Sequence, residues 1–498
     1  MLIISLLVPI LLLAQDNGAN ISSDLISGTF RYPVNRELSH FSDAPIATAF
    51  LLSNDTVYNA SGDLRSDDPD FNTKSPVWLC ASRVLLNNVL TVGFDRYVLD
   101  ADYARIGPNT WEHNIKTGWE WDSDRFGMNF FAHPYSGSAY FNAARSNGYS
   151  LYESMPFAFG GSLMYEYFGE NTLPSYNDLI NTTTTGILIG EISYRLSSDF
   201  LDDRTTGSER FFRELFAAII NPQRAFSRLL RGRFTRVTSN EIYQKEPLDM
   251  TFGVGGHLVN TGRKPGTGTF DEMLTLQLDY GNPYEHTSRK AYDYFTLRAD
   301  LTNGLGRKII DNIVASAFWF GGNVHSSSTE MLIGGFQHYD FWDNNTFELA
   351  AIGFGPGLVS RFALSQTSAF HLVFHLALVP LGANSTRLGP DSAQFRDYNY
   401  GGGAESKIEG GFDIGGWVNL AIRSNFYWIH TYVGTAGDNY IGVVRPRVVF
   451  SLFNNLSIGV EHLIYYSDRF ATGFPSTTDV RTEQKIFLQY LIPKFASE

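Results

Sequence analysis

From Asp249 to Pro493 the chain repeats one pattern, segments of 10–14 residues with an apolar side chain at every second position. In "FHLVFHLAL", Phe370, Leu372, Phe374, Leu376 and Leu378 alternate with His371, Val373, His375 and Ala377. The last segment sets Ile486, Leu488, Tyr490 and Ile492 against Arg481, Glu483, Lys485 and Gln489. Successive side chains on a strand point to opposite faces, so each segment has an apolar wall and a polar one. Twelve such segments start near 249, 271, 291, 309, 329, 347, 367, 408, 425, 441, 456 and 480. "IEGGFDIGGWVNLAIR" reads as one of them, with Ile408, Phe412, Ile414, Val418, Leu420 and Ile422 on one face. Glu409, Asp413, Asn419 and Arg423 occupy the other.

A soluble sandwich shows the same alternation. Three features favour a membrane barrel instead. The segments suit the ~9–11 residues a tilted strand needs to cross a bilayer, and their number is even. Aromatic residues (Tyr294, Trp428, Tyr432, Tyr465, Tyr466) crowd their ends, where an interfacial girdle sits. The prediction is a transmembrane antiparallel β-barrel of about 12 strands over 249–493. His371, His375, Glu409, Asp413, Arg445, Arg447 and Glu461 are expected to line its lumen, pairing across a plugged interior or filtering a solute. His371 and His375, four apart on a strand, lie ~13 Å from one another and share no metal by themselves. Connections alternate in length: 365–367, 423–425 and 454–455 are short, while 381–407, 435–440 and 467–479 are long. Short periplasmic turns and long outer loops place 381–407 outside the cell and both barrel termini in the periplasm.

Before the barrel the period changes. Residues 76–236 read as a helical domain, expected at or inside the periplasmic side of the barrel. Within 204–236 eight Arg accompany two Glu, and Phe212, Leu215, Phe216, Ile219 and Ile220 share a face that breaks at Pro222. Such a helix suits anionic headgroups, or packs on the barrel rim. Between these segments lie apolar stretches with polar seams: His133, Ser136 and Tyr140; Ser162, Glu166 and Glu170; Asp178, Glu191 and Arg195. Gly186 and Gly190 have the small-xxx-small spacing that lets helices approach closely.

The seams have two readings. His133, Arg145, Glu166 and Glu191 form a satisfied network that holds helices in register. Alternatively His133 is a general base, Ser136 or Ser138 the nucleophile, and Glu166 or Asp178 the group orienting the histidine. Neither a Gly-x-Ser-x-Gly elbow nor a metal signature occurs, so no metal or cofactor is assigned.

Composition narrows the class. A net charge of −13 argues against nucleic-acid binding. Aromatic residues at 15 % and charged residues at only 18 % suit a large β-structure with one apolar face. A single cysteine, Cys80, permits no internal disulfide. The apolar run Leu2–Leu13 is too short to span a bilayer and reads as the core of a signal peptide over 1–14, followed by an extended arm over 15–75.

Four blocks carry a family resemblance: "EWDSDRFGMNFFAHPYSGSAYFNAARSNGY", "GSLMYEYFGENTLPSYNDLI", "GILIGEISYRLS" and "NPQRAFSRLLRG". They resemble an uncharacterised outer-membrane family of Gram-negative bacteria, catalogued only as a domain of unknown function. Glu120, Asp122, His133, Arg145, Glu166, Glu170, Asp178, Glu191 and Arg195 stand as the family pattern has them. The resemblance implies an outer-membrane location and this architecture, and no activity. The expected function is a structural, assembly or transport-related component of the cell outer membrane, in contact with its lipid and with other envelope proteins. The alternative is an integral hydrolase or acyltransferase acting on phospholipid or lipopolysaccharide.

Overall fold

The computed structural model describes residues 73–284, 289–303, 308–344, 346, 348–385 and 398–495. The signal peptide and all but the end of the arm lie outside these residues. Twelve antiparallel strands follow in chain order. The first six are β1 (Leu248–Val259), β2 (Thr269–Tyr280), β3 (Phe295–Thr302), β4 (Ile310–His325), β5 (Thr329–Asp343) and β6 (Glu348–Ala363). The rest are β7 (Ala369–Ser385), β8 (Tyr398–Ile414), β9 (Val418–Val433), β10 (Gly437–Phe453), β11 (Leu456–Ala471) and β12 (Thr477–Phe495). Each pairs with its chain neighbours, and β1 with β12 closes the barrel without an edge.

The alternation predicts the faces. Phe252, Val254, Leu376, Leu378, Phe426, Trp428, Ile464, Ile486 and Leu488 point outward and are exposed. Their odd-numbered neighbours point inward. The stretch 408–423, read above as one strand, is two half-strands around a turn at 415–417. Both flanking strands turn their even-numbered residues outward, so the period runs through the turn unbroken. The local sign is Gly415 and Gly416, which hold φ at 60° and 75°, a conformation natural to glycine. The long connection expected at 381–407 is also shorter, because β7 runs on to Ser385 and β8 begins at Tyr398.

The lumen is filled by the strands' own side chains. Asp300 on β3 meets Lys485 on β12 at 2.9 Å and Arg445 on β10 at 3.5 Å, and Arg445 also holds Glu461 at 2.8 Å. Glu409 on β8 is shared by Arg298 of β3 and Arg423 of β9, each at 3.0 Å. Lys407 reaches Asp340 of β5 at 2.7 Å. Nearby an apolar layer joins Trp342, Leu349, Val379, Tyr427, Ile441 and Leu463 across the interior. His375 is buried against Phe336 and His338, while His371 pairs with Asp413 at 2.7 Å. Arg447 packs over the Phe487 ring.

The helices are α1 (Val77–Tyr97), α2 (Pro108–Thr117), α3 (His133–Arg145), α4 (Leu151–Phe168), α5 (Tyr176–Phe200), α6 (Gly207–Ile220) and α7 (Pro222–Leu230). Their ends are chemically marked. Ser150 and Glu153 form a capping box on α4, Ser175 caps α5, and Asn221 with Pro222 separates α6 from α7.

This domain does not fill the lumen. Phe126, Phe130, Phe141, Ile187, Leu188 and Ile192 form one core with Leu248, Leu278, Phe295, Ala315, Tyr339, Phe341, Ile352, Leu381 and Tyr400. Those strand positions share the outward face with the exposed apolar residues, so the helices lie on the outer wall of the barrel. Phe200, at the end of α5, stacks on Phe495 at the end of β12 with centroids 4.7 Å apart. The segment before α3 meets Tyr398 and Tyr400 at the opposite end of the barrel. The expected plug is therefore made by the barrel itself, because its lumen is occupied by paired charges and the helices have apolar faces to bury.

Candidate functional site

Two polar clusters are buried within the helical domain. The first holds its C-terminal half together. Arg145 grips Glu191 with two bonds of 2.8 and 3.1 Å, and Arg195 adds a third at 2.9 Å. Arg145 and Arg224 sandwich the Tyr194 ring, 4.0 and 4.1 Å from its centre. Asp203 accepts from Arg210, Arg228 and Arg236, and Glu214 from Arg210 and Arg228. Burial alone would raise the Asp203 carboxyl, but Arg228 and Arg236 hold it below the usual range. Arg204 holds Asp202 down to about 2. The arginines read as a headgroup-binding face thus largely point inward. The outward face of α6 is instead Phe211, Phe212, Leu215, Phe216 and Ile219.

The second cluster surrounds His133. A π-helical turn over Met128–Ala132 runs directly into α3, so His133 stands where the chain is irregular. α3 and α5 cross at Gly137 and Gly186 with almost no separation. A Cβ on Gly137 would lie 1.8 Å from the Thr182 carbonyl oxygen, and one on Gly186 would lie 2.6 Å from the Gly137 Cα. That crossing brings His133 to α5, with Nδ1 3.4 Å from Thr182 Oγ1 and Nε2 3.8 Å from Asp178 Oδ1. Glu166, near the end of α4, accepts from the Ser175 amide at 2.8 Å. One donor atom each from His133, Glu166 and Asp178 lie within 4.8 Å of one another.

Asp122 closes this group from the side. Residues around Glu120 pair as a short parallel bridge with Ser175, which sets Asp122 against Asp178. Asp122 Oδ1 accepts from Asn129 at 2.7 Å, Asn177 at 3.0 Å and the Tyr400 hydroxyl at 3.0 Å. Tyr398 and Tyr400 of β8 both contact the Asn129 amide, so the barrel wall supplies part of the pocket. Among the described residues no Lys or Arg pairs with Asp122, Glu166 or Asp178. Adjacent buried carboxyls without a cation cannot all ionise, because each disfavours the charge on the next.

The serines expected as nucleophiles do not join this group. Ser138 donates to the Tyr135 carbonyl at 2.7 Å and is buried. Ser136 lies on the half-open side of α3, and no bond links it to His133. Tyr140 packs with Val84 and Ala143. Glu170 lies beyond the end of α4, where its backbone carbonyl accepts from Asn114. Glu120 is exposed. Thr182, Asn129, Asn177, Tyr398 and Tyr400 also belong to the pocket, and no periodicity or motif in the sequence marks them as partners of the seams.

Residues 118–223 match the family model described as "Domain of unknown function (DUF3943)", a stretch that holds Asp122, His133, Arg145, Glu166, Asp178, Glu191, Asp203 and Glu214 but not Arg224, Arg228, Arg236 or the tyrosines of β8. The resemblance read from the hallmark blocks is met there. No curated protein matches the chain. Solved outer-membrane proteins share the barrel. The NanC porin is 8 % identical, covers 48 % of this chain and 98 % of its own, and gives a TM-score of 0.29. The COG4313 outer-membrane channel of Pseudomonas putida F1 is 9 % identical over 50 % of this chain and 97 % of its own, at 0.27. The transport unit of the Escherichia coli autotransporter AIDA-I is 13 % identical over 53 % and 96 %, at 0.23.

Proposed function

We propose that this protein is an outer-membrane hydrolase, in which a self-filled barrel anchors a lipid-facing helical domain that acts on an ester or phosphoester linkage of membrane lipid. The observation that carries this reading is the uncompensated acid pocket of Asp122, Glu166 and Asp178 beside His133. A purely structural network has no use for adjacent acids without a cation, whereas acid–base chemistry does. His133 serves as the base that takes a proton from water, Asp178 orients it, and a protonated Glu166 donates to the leaving group. With no serine in reach, water is the nucleophile.

Placement supports lipid as the substrate. The helices cover wall that would otherwise face acyl chains, and they are apolar on their own outer side. α1 is 21 residues long and apolar enough to cross a membrane, with Val77, Trp78, Leu85, Leu86 and Val89 exposed. Orientation follows from the connections: the turns 326–328, 415–417 and 454–455 at the end bearing both barrel termini are short, with 281–294 its one long connection, while at the other end only 434–436 is as short, and the end bearing the termini is assigned to the periplasm. The pocket then lies toward the outer leaflet, level with the start of β8.

A structural role is the second reading, favoured by the fully paired Arg145–Glu191–Arg195 group. Lipid extracts of outer membranes from cells expressing Glu166→Gln or Asp178→Asn decide between them. The hydrolase reading expects a changed lipid profile with normal yield and heat-modifiability. Unchanged lipid together with reduced yield would support the structural role.

A further inference from the structure

The acid pocket brings together three donors from three different helices, fixed by the glycine crossing of α3 and α5 rather than by a loop. The donor atoms of His133, Glu166 and Asp178 are mutually within 4.8 Å. Ligand atoms around a zinc-like ion, bound at about 2.0–2.2 Å, stand about 3–4.4 Å apart, so little contraction is needed. His133 and Glu166 have capacity to spare, and Asp178 Oδ1, which faces His133, accepts from Asn177 at 3.0 Å. His133 Nε2 stops 3.8 Å from Asp178, beyond hydrogen-bond range. Glu166 uses only one oxygen, on the Ser175 amide. Two further polar atoms beside the group are buried without partners. Ser162 Oγ sits one helical turn before Glu166, and Asn129 Oδ1 sits on the side chain that holds Asp122. Both side chains are 1 % exposed.

We propose that His133, Glu166 and Asp178 bind one divalent first-row transition-metal ion of the zinc class, with Asp122 and its tyrosine partners fixing Asp178 from behind. One imidazole nitrogen and two carboxylate oxygens suit such an ion better than the all-oxygen shells of calcium or magnesium. The ion supplies the positive charge that the pocket's own side chains lack. Three protein ligands leave a position open, which is the arrangement of catalytic rather than structural sites. The His133 side chain keeps 12 % of its surface exposed against 4 % for Asp178, so the pocket is reached from the side of α3 that carries His133. Holding an ion, these three side chains act as its ligands in place of the base, orienting and acid roles given above, so the proposal keeps the hydrolase reading only as attack of water on a lipid linkage and rests on it for that alone.

The test uses the full-length protein, purified in detergent, stripped with a chelator and dialysed against Zn²⁺ or Co²⁺. Metal content and the visible absorption of the Co²⁺ form are read. About one ion per chain is expected, lowered about tenfold or more by His133→Ala and by Glu166→Gln, and unchanged by the surface variant Glu209→Gln. Should His133→Ala fail to fold, Glu166→Gln decides, since it keeps the side-chain shape and its fold is checked by heat-modifiability. Folded wild type that retains no metal, or Glu166→Gln that binds as much as wild type, overturns the proposal. Wild type that turns over lipid yet retains no metal after dialysis overturns the metal and leaves the hydrolase reading. Stoichiometric metal without lipid turnover does the reverse.

Discussion

At one end of the helical domain Glu191, Asp203 and Glu214 are each met by two or more guanidinium groups; at the other, Asp122, Glu166 and Asp178 share a single imidazole. Both groups are buried, both are assembled from several helices, and the carboxylates of both lie within the residues that match the family model. The first can exist as an ionised cluster without help, because every carboxylate in it is met by at least two guanidinium groups, Arg145–Glu191 and Arg228–Glu214 through two bonds each. The second cannot, unless protons or a bound cation complete it. Burial and polarity alone therefore do not separate a structural cluster from a reactive one. Charge balance does.

The largest expected effect falls on the balanced group. Arg145→Ala leaves Glu191 buried with half its partners gone, and breaking such a pair typically costs about 3–5 kcal/mol. The helical domain should lose protease resistance while the barrel keeps its heat-modifiable band. Survival of the domain at wild-type stability would remove the contrast between the two groups. Gly186→Leu follows closely. It forces α3 and α5 apart at a contact with no room for a Cβ, and overpacking of this kind costs about 1–3 kcal/mol or more. His133 should lose the acids, visible as loss of metal with the barrel intact.

A smaller effect, of opposite sign, is expected in the acid pocket. Asp178→Asn removes one of the crowded carboxyls and should leave the melting temperature of metal-free protein equal to or above wild type. A marked drop would show that the pocket is structural after all. The lumen gives a separate readout. Wild-type protein in planar bilayers should pass little current, since Asp300, Arg445 and Lys485 bridge the interior. Replacing all three with alanine should raise the conductance. A large steady current through wild type would show that the ion-pair layer opens. The smallest effect is with pH. Asp202 and Asp203 are held below the usual carboxylate range, so their stabilisation is complete above the unfolded value near ~4. It is lost as pH falls towards about 2 for Asp202. Arg204→Ala should flatten that acid limb.

The barrel was legible in the sequence because a strand's period of two survives any amount of variation in the residues themselves. What misled was a turn that kept the parity, at Gly415 and Gly416, where glycines and not periodicity mark the boundary. The lumen charges were legible for the same reason, since Glu409, Arg445 and Glu461 stand on the polar parity. The helical domain's position was not. Nothing in the pattern of β5 distinguishes Tyr339 and Phe341, covered by helices, from Phe426 and Trp428, left bare. His133, Glu166 and Asp178 were visible as members of three separate seams. Their convergence depends on a glycine crossing whose partners, 137 and 186, are far apart in the chain. The tyrosines of β8 come from still farther away, and a seam confined to helices gave no reason to look for them.

Those tyrosines have a consequence for the order of events during biogenesis. Asp122 is positioned by a hydroxyl from Tyr400, 278 residues later in the chain. The amino-terminal helices emerge long before β8 is placed in the sheet. A chain whose barrel has not yet closed therefore carries the acids and the histidine but not the wall that arranges them. On the function proposed above, competence is acquired only when β8 joins the closed barrel.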